Sequence, residues 1–235
     1  MRRLLLLVPA LLLAACDRPV DDRFFPLGSG HRWTYRSTTV FEDPAVPAET
    51  DTLEVRSLGA GEWGGSRAWH RVTDTGHGWW LRADDTGIYR VASEGPQQAQ
   101  ALADSPVSWV LRRPLQVGTA WEGRTVPYVL QRRNEQPREL RYLDRYKNLV
   151  IKYRIEQLDQ AVDTPAGHFT GCIVVAGTSE VYQYSDELLA YRNAPLLARE
   201  WYCPGVGLVR QERVEHATTR FLLGGTVLLE LVRWN

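Results

Sequence analysis

The chain has 235 residues, and its 28 basic and 28 acidic side chains give a formal net charge of zero. A near-neutral chain offers no electrostatic reason to expect nucleic acid as a partner. The nine tryptophans and ten tyrosines are typical of β-sheets whose faces are covered by large side chains.

The first sixteen residues have the order of an export signal. Two arginines follow Met1, an apolar run extends from Leu4 to Leu13, and the segment ends in Leu13-Ala14-Ala15-Cys16. Because a bilayer span takes roughly 20 apolar residues, we predict a signal peptide over residues 1–15 and not a membrane helix. The ending resembles the lipobox of bacterial lipoproteins, in which cleavage leaves the cysteine as a lipidated N-terminus. The alternative is a plain secretory signal cleaved nearby, with Cys16 incidental.

We expect residues 16–23 to form a lipidated tether and residues 24–235 to form a single β-domain. The membrane is then a partner through the N-terminal lipid, since acyl chains buried in a bilayer contribute about 0.8 kcal/mol per CH₂ group. This hypothesis places the domain in the cell envelope, facing the periplasm, on either the inner or the outer membrane.

A short frame, Pro-Leu-x-x-Gly-x-x-Trp, occurs at residues 26–33 and again at residues 114–121. Proline, as at Pro26, fixes φ ahead of a turn, and glycine, at Gly30 and Gly118, takes a backbone conformation that other residues resist. The tryptophan that follows is expected to enter the core. Each copy of the frame therefore predicts a structural turn that leads into a strand.

The repeated frame divides the domain into two similar halves, 24–112 and 113–235, or marks two points in one continuous sheet. Within the first half, the small and polar residues 93–106 predict a loop or one short helix. Within the second half, Thr125–Gln131 is predicted as a strand and Glu139–Lys147 as one or two helical turns. No window of 15 residues shows a helical period of 3.6, so the chain is expected to be mainly β.

Two stretches of the second half organise the predicted sheet, residues 164–175 and residues 199–210. Each joins a turn pattern to a run of β-branched and aromatic residues. We interpret them as the arms of one long hairpin that turns near Ser185–Ala190. Their predicted structural turns contain Gly167, Pro204, Gly205 and Gly207.

Each arm of this hairpin carries one cysteine. If the arms pair antiparallel about the expected turn, facing residues have numbers that add to about 375, as Cys172 and Cys203 do. In an oxidising compartment two cysteines are more often paired than free. A bridge would close a loop of about 30 residues and contribute on the order of 3 kcal/mol. The alternative is two separate buried cysteines that act as small hydrophobic residues.

Motifs that carry chemistry are missing from the sequence. It contains no Gly-x-Ser-x-Gly, His-Glu-x-x-His or Cys-x-x-Cys pattern. The histidines are scattered along the chain: His31, His70, His77, His168 and His216. We therefore assign no catalytic residue, no metal ligand and no cofactor.

Two local clusters have both a structural and a functional interpretation. The run Asp84-Asp85-Thr86-Gly87 is better explained as a hairpin turn than as a calcium loop, because it lacks the alternating acidic spacing of such loops. Trp79 and Trp80, together with Trp63 and Trp69, could form an aromatic platform for a sugar or a lipid. Neighbouring residues on a strand point to opposite faces, however, so we expect one of the pair to lie in the core.

These features together resemble a family of bacterial lipoproteins of unknown function, the TapB-like lipoproteins. The family pattern runs from a lipobox through FPL-x-x-G-x-x-W-x-Y and PAG-x-F-x-x-C to W-Y-x-PGVGLV. The matching residues of this chain are Phe25, Pro26, Leu27, Gly30, Trp33 and Tyr35, then Pro165, Ala166, Gly167, Phe169 and Cys172, and finally Trp201, Tyr202 and the run 204–209.

The resemblance implies a mainly β fold: an antiparallel curved sheet or half-barrel with at most one or two short helices, distantly similar to the lipoprotein carriers LolA and LolB. It implies no catalytic residue. The family usually has a plain residue at the position of Cys203, so it does not supply the disulfide.

Three functions remain open at this stage. The first is a non-enzymatic envelope lipoprotein that binds or assembles with an envelope protein. The second is a carrier that holds a lipid or another apolar ligand in the concave face of the sheet. The third, a hydrolase, is disfavoured by the missing motifs.

Overall fold

The computed structural model of the protein describes residues 21–235, so the predicted signal peptide and Cys16 lie outside the described residues. Two 3₁₀ turns, Leu140–Tyr142 and Asp144–Tyr146, lie in the segment before Leu149. The strands are β1 (Arg32–Phe41), β2 (Glu49–Trp63), β3 (Ser66–Thr73), β4 (Gly78–Asp84), β5 (Gly87–Glu94), β6 (Leu102–Arg112), β7 (Ala120–Thr125), β8 (Gln131–Arg132), β9 (Leu149–Thr164), β10 (Gly167–Ser185), β11 (Ala190–Cys203), β12 (Gly207–Glu215), β13 (Leu222–Leu223) and β14 (Gly225–Trp234).

Twelve of the strands form one antiparallel sheet in the order β6-β5-β4-β3-β2-β1-β14-β12-β11-β10-β9-β7, while β8 and β13 pair separately. The sheet curves until it is nearly closed into a barrel. The predicted fold class, a mainly β protein with a curved antiparallel sheet, is confirmed. In the part of the chain that the structure describes, no helix has the length and apolar character needed to cross a membrane.

The two stretches predicted as halves lie on opposite sides of one seam. Strands β1–β6 run outward from the seam in chain order, and the strands from β14 back to β7 run outward on the other side. At the seam β1 pairs with β14, so that Tyr35 lies opposite Leu231. The domain therefore has one continuous sheet.

One face of this sheet, called the inner face below, is covered by two segments of the chain. Residues 24–27 form the first cover: Phe25 and Leu27 pack among residues of both sides of the sheet, including Ile88 and Ile173. Residues 126–148 form the second cover, in which Leu130, Leu140 and Tyr146 lie on Ile151, Val181 and Leu196. Apolar burial of this kind contributes about 25 cal/mol per Å².

A buried arginine fastens the first cover. Arg71 on β3 donates a hydrogen bond to the carbonyl oxygen of Pro26 at 2.7 Å. Its guanidinium carbon lies 3.9 Å from the ring centre of Phe25 and 4.4 Å from that of Trp33. Burial lowers the pKa of Arg71 to about 10. The backbone before this cover is also bound, since the Gly205 amide donates to the Arg23 carbonyl at 2.6 Å.

A buried carboxylate fastens the second cover. Glu215 on β12 accepts hydrogen bonds from the backbone amides of Tyr128, Val129 and Leu130 at 2.9–3.0 Å. The Nε atom of Arg213 donates to the same carboxylate at 2.5 Å. Because every oxygen of this buried carboxylate has a donor, the charge is compensated.

The structure corrects two strand predictions. Residues 126–130, the interior of the predicted strand Thr125–Gln131, form a loop held by Glu215; strand β7 ends at Thr125 and β8 begins at Gln131. Residues 102–106, predicted within a loop or a helix, begin strand β6. The two 3₁₀ turns fall inside the predicted helical segment Glu139–Lys147.

The predicted turn glycines have backbone angles that only glycine adopts readily. Gly30 has φ of 90°, Gly118 of 92° and Gly205 of 77°. At Gly207, with φ of 93°, an added Cβ would also lie 3.3 Å from the Pro26 side chain. The turn at this position therefore lets the first cover approach the backbone closely.

Candidate functional site

The outer face of the β10–β11 hairpin carries three tyrosines, of which Tyr182 and Tyr191 are exposed and Tyr184 is partly exposed. In the register of these strands Tyr184 lies opposite Tyr191, and Tyr182 lies opposite Asn193. Side chains alternate along a strand, so Val181 is buried on the inner face while Tyr182 points outward. Tyr182 is 54% exposed and Tyr191 is 57% exposed.

The tyrosine rings contact one another. The ring centres of Tyr182 and Tyr191 are 5.3 Å apart with planes at 21°, and Tyr184 meets Tyr191 edge-on at 5.5 Å. At the turn of the same hairpin, Leu188 is 57% exposed and Leu189 is 77% exposed. We call the residues Tyr182, Tyr184, Leu188, Leu189 and Tyr191 the distal patch.

The distal patch lies at the far end of the sheet from the N-terminal segment. The first cover meets the turn that follows β11, through the bond between the Gly205 amide and the Arg23 carbonyl. Trp33, at the start of β1, also reaches this turn, donating from Nε1 to the Val206 carbonyl at 2.7 Å. Tyr191 of the patch lies twelve residues before Cys203 on β11, a distance of roughly 40 Å along the strand.

The second 3₁₀ turn completes the site. The hydroxyl of Tyr146 donates to the Tyr182 carbonyl at 2.8 Å, and its ring is buried against the sheet. Burial raises the pKa of Tyr146, so its hydroxyl stays protonated at neutral pH. This anchor places the neighbouring Arg145 beside the tyrosines.

Two grooves flank this anchor, and Arg145 and Tyr146 line both of them. The first groove has a volume of about 680 Å³ and the second of about 360 Å³. Further residues of the first groove are Val150, Lys152, Glu180, Tyr182, Asn193 and Leu197. Further residues of the second are Arg132, Glu135, Tyr184, Tyr191 and Phe221.

The charges of these grooves are unevenly compensated. In the second groove Arg132 forms an ion pair with Glu135 at 2.5 Å. In the first, the carboxylate of Glu180 accepts a hydrogen bond from the Asn193 amide at 2.7 Å. The guanidinium carbon of Arg145 lies 4.8 Å from the centre of the Tyr146 ring. Among residues 21–235, neither Arg145 nor Lys152 forms an ion pair. The site therefore presents aromatic rings beside two cations, Arg145 and Lys152, that form no close ion pair within the described residues, although Glu122 lies opposite Lys152 on β7.

The histidines do not converge. His70 stacks on Trp80 with ring centres 4.3 Å apart and bonds Glu94, whereas His168 bonds Asp163 at the tip of another hairpin. Within the described residues, no three His, Cys, Asp or Glu side chains are grouped to hold a metal ion.

The acidic run at the β4–β5 turn has the structural role expected for it. Asp84 accepts a hydrogen bond from the Thr86 backbone amide at 2.7 Å and another from the Tyr89 hydroxyl at 2.9 Å. Both oxygens of the carboxyl are thus used within the hairpin.

Trp79 and Trp80 lie on opposite faces, as the alternation predicts. Trp80 stacks on His70 on the outer face, while Trp79 packs against the core residues around Trp33. The aromatic platform suggested by the sequence was built on tryptophans, and the tyrosines of the distal patch were missed. Their spacing in the sequence, with Tyr182 and Tyr184 alternating with buried residues, is the pattern that could have indicated a shared outer face.

The two cysteines of the long hairpin form a disulfide, with Cα atoms 4.1 Å apart. The register of β10 and β11 agrees with the expected one, because Ile173 lies opposite Tyr202. Cys172 and Cys203 are 0% and 1% exposed and pack with Val206 and Leu231. The bond thus belongs to the core at the N-terminal end of the sheet.

Comparison with known proteins assigns no family to the chain. No protein-family profile matches it, and neither does any curated protein. Two crystal structures are similar over 90% of this chain and 98% of their own. One is a protein from Bacteroides fragilis assigned as exported, with a YmcC-like fold, at 16% identity and a TM-score of 0.39. The other, from Parabacteroides distasonis, is assigned as a lipoprotein, at 13% identity and a TM-score of 0.37.

At these identities neither likeness assigns a function to this chain. The resemblance to the TapB-like lipoproteins and to LolA and LolB stays a prediction.

Proposed function

We propose that the protein is a cell-envelope lipoprotein, anchored through Cys16, that serves as a non-enzymatic binding module. Its binding surface is the distal patch with the two grooves beside Tyr146. Export and anchoring are supported by the order of charged, apolar and small residues before Cys16.

The observation that carries this proposal is where exposed aromatic and leucine side chains cluster. Buried residues fill the inner face, and the two covers lie over it. Exposed aromatic and leucine side chains gather instead on the outer face, at one end of a single hairpin. Clustered exposed apolar residues mark interaction sites more often than singly scattered ones do.

The same observation ranks the alternative functions. A carrier would hold its apolar ligand on the concave inner face, so both covers would have to move away from residues such as Ile155 and Val175. An enzyme has no catalytic motif in the sequence to support it. We therefore place the carrier second and the enzyme third.

Site-specific photo-cross-linking from the full-length lipoprotein in its own envelope tests the proposal. A photoreactive amino acid replaces Leu188 in the distal patch. In the control it replaces Val117, which is 60% exposed, precedes the turn at Gly118 and lies outside the distal patch and both grooves. We expect a discrete cross-linked product from position 188 and none from position 117. Products from position 117 alone, or from neither position, would contradict the proposed surface.

A further inference from the structure

We propose that the grooves flanking Tyr146 bind an acidic saccharide. This inference rests on the proposed function and names the ligand class of the same surface. Three kinds of side chain meet there: aromatic rings, cations that form no close ion pair within the described residues, and a planar amide–carboxylate pair.

The aromatic rings supply flat apolar surfaces. Tyr182 and Tyr191 lie nearly parallel, at 21°, on a rigid two-stranded support. The C–H faces of a pyranose ring are apolar and slightly electropositive, so they stack on the electron-rich face of an aromatic ring. Tyrosine has few rotatable bonds, so little conformational entropy is lost when a sugar packs on it.

The cations select a negative charge. Arg145 lines both grooves and Lys152 lines the first, and neither forms an ion pair within residues 21–235. The carboxylate of Glu180 is the one acidic group of the first groove, so the lining there has more positive than negative charge. A guanidinium that is already held against a ring binds a carboxylate or a phosphate in a bidentate manner.

The polar pair matches hydroxyl groups. The Asn193 amide donates one hydrogen to Glu180 at 2.7 Å, which leaves its second hydrogen and its carbonyl oxygen available. The Glu180 carboxylate, next to this amide, can still accept further hydrogen bonds. Neighbouring hydroxyls on a sugar need a donor and an acceptor side by side, and this pair offers both.

The place of the site in the molecule favours a saccharide over a lipid headgroup of the anchoring membrane. The grooves line β11 from Tyr191 to Leu197, which lie roughly 20–40 Å along the strand from its end at Cys203 beside the N-terminal segment. A long polymer at some distance from the bilayer can reach this end, whereas the headgroups of the anchoring leaflet lie at the other.

The experiment measures binding of a galacturonate hexasaccharide to the full-length lipoprotein in phosphatidylcholine nanodiscs by isothermal titration calorimetry. Maltohexaose, a neutral hexasaccharide, is the comparison ligand. We expect the acidic probe to bind at least about tenfold more tightly than the neutral one, the equivalent of about 1.4 kcal/mol.

Variants separate the contributions of the rings and the cation. Arg145→Ala and Tyr191→Ala are expected to weaken binding of the acidic probe about tenfold each, while Tyr191→Phe keeps the ring and most of the affinity. The matched controls are Arg233→Ala, at the N-terminal end, and Tyr142→Ala, a tyrosine that is 53% exposed but lines neither groove. Circular dichroism checks that each variant is folded.

If both probes bound with equal affinity, the proposed selection of an acidic saccharide by the cations would be wrong. If neither probe bound, the saccharide proposal as a whole would be overturned. Loss of affinity in the controls but not in the groove variants would place the site elsewhere and overturn it too. A distal cross-link from position 188 to a protein, with no saccharide binding, would leave the proposed binding surface standing and reject only this ligand class.

Discussion

Glu200 is an ionisable residue on the inner face of β11. Its carboxyl accepts hydrogen bonds from the Tyr202 hydroxyl at 2.7 Å and from the Gln211 amide at 2.8 Å. Burial raises the pKa of Glu200, and the two hydrogen bonds and the nearby Arg213 offset this only in part. The folded state therefore holds a proton on this carboxyl more tightly than the unfolded chain does.

The raised pKa of Glu200 predicts that this residue makes the folded state less stable at neutral pH than in acid. The native state favours the protonated form, so the contribution of Glu200 to stability is fully present below the ordinary pKa near 4.5. It is lost as the pH rises through the higher pKa of the folded state. We expect Glu200→Gln, which cannot ionise, to melt a few degrees above the wild type at pH 7. Calorimetry at pH 7 and at pH 4 should show this difference shrinking in acid.

The matched control for that comparison is Glu212→Gln, on the outer face of the neighbouring strand and partly exposed. If the difference in melting temperature between Glu200→Gln and the wild type stayed constant or grew toward pH 4, the raised pKa of Glu200 would be contradicted.

At the scale of the elements, the sheet depends on the hairpin of β10 and β11. Its disulfide joins Cys172 to Cys203, 31 residues apart in sequence. Closing a loop of that length restricts the unfolded chain and contributes on the order of 3 kcal/mol. We expect the double variant Cys172→Ala, Cys203→Ala to lose about that much free energy of unfolding in urea titrations.

Reduction provides the control for this prediction. Wild-type protein that is unfolded and refolded with a reductant should match the double variant, while reductant should leave the variant unchanged. Equal stability of the oxidised wild type and the double variant would show that the bond adds nothing to the fold.

The same hairpin shows how far the sequence predicts the elements. The Pro and Gly residues at 165–167 and 204–207 predict its ends correctly, because glycine is required where φ is positive. Its turn falls in the predicted segment Ser185–Ala190. Strand β6 was missed because residues 102–106 mix Leu and Pro with small and acidic side chains and lack an alternating pattern.

Contacts between distant residues account for what the sequence did not reveal. The backbone at 128–130 looks like a strand by composition but is held as a loop by Glu215, more than 80 residues away. The distal patch is different, because the register expected from the sequence already places Tyr184 opposite Tyr191. Its tyrosines were missed because that register was applied only to the cysteines.

At the scale of the whole molecule, the sheet has two different ends. The N-terminal segment is bound at one end, where Arg113 donates a hydrogen bond to the Asp21 carbonyl. Only five peptide steps separate Cys16 from Asp21, a reach of at most about 18 Å. A lipid on Cys16 would therefore hold this end close to the bilayer and present the distal patch away from it.

The anchor hypothesis predicts the result of a single substitution. Cys16→Ser removes the thiol that would carry the lipid, so we expect the protein to move from the membrane fraction to the soluble periplasmic fraction. Cys172→Ala, which leaves the lipobox intact, should stay with the membranes. Membrane fractionation with immunoblotting measures both, and a Cys16→Ser protein that remains membrane-bound would refute the anchor.

The burial of the disulfide has a consequence for how the protein matures. Both sulfur-bearing residues are enclosed beneath the turn that also receives the N-terminal segment. Because the two sulfur atoms are enclosed in the folded sheet, we expect an oxidant to reach the thiols before the last folding step and not after it. A molecule that closed too early would keep its thiols reduced and out of reach, and correct biogenesis is therefore a matter of timing.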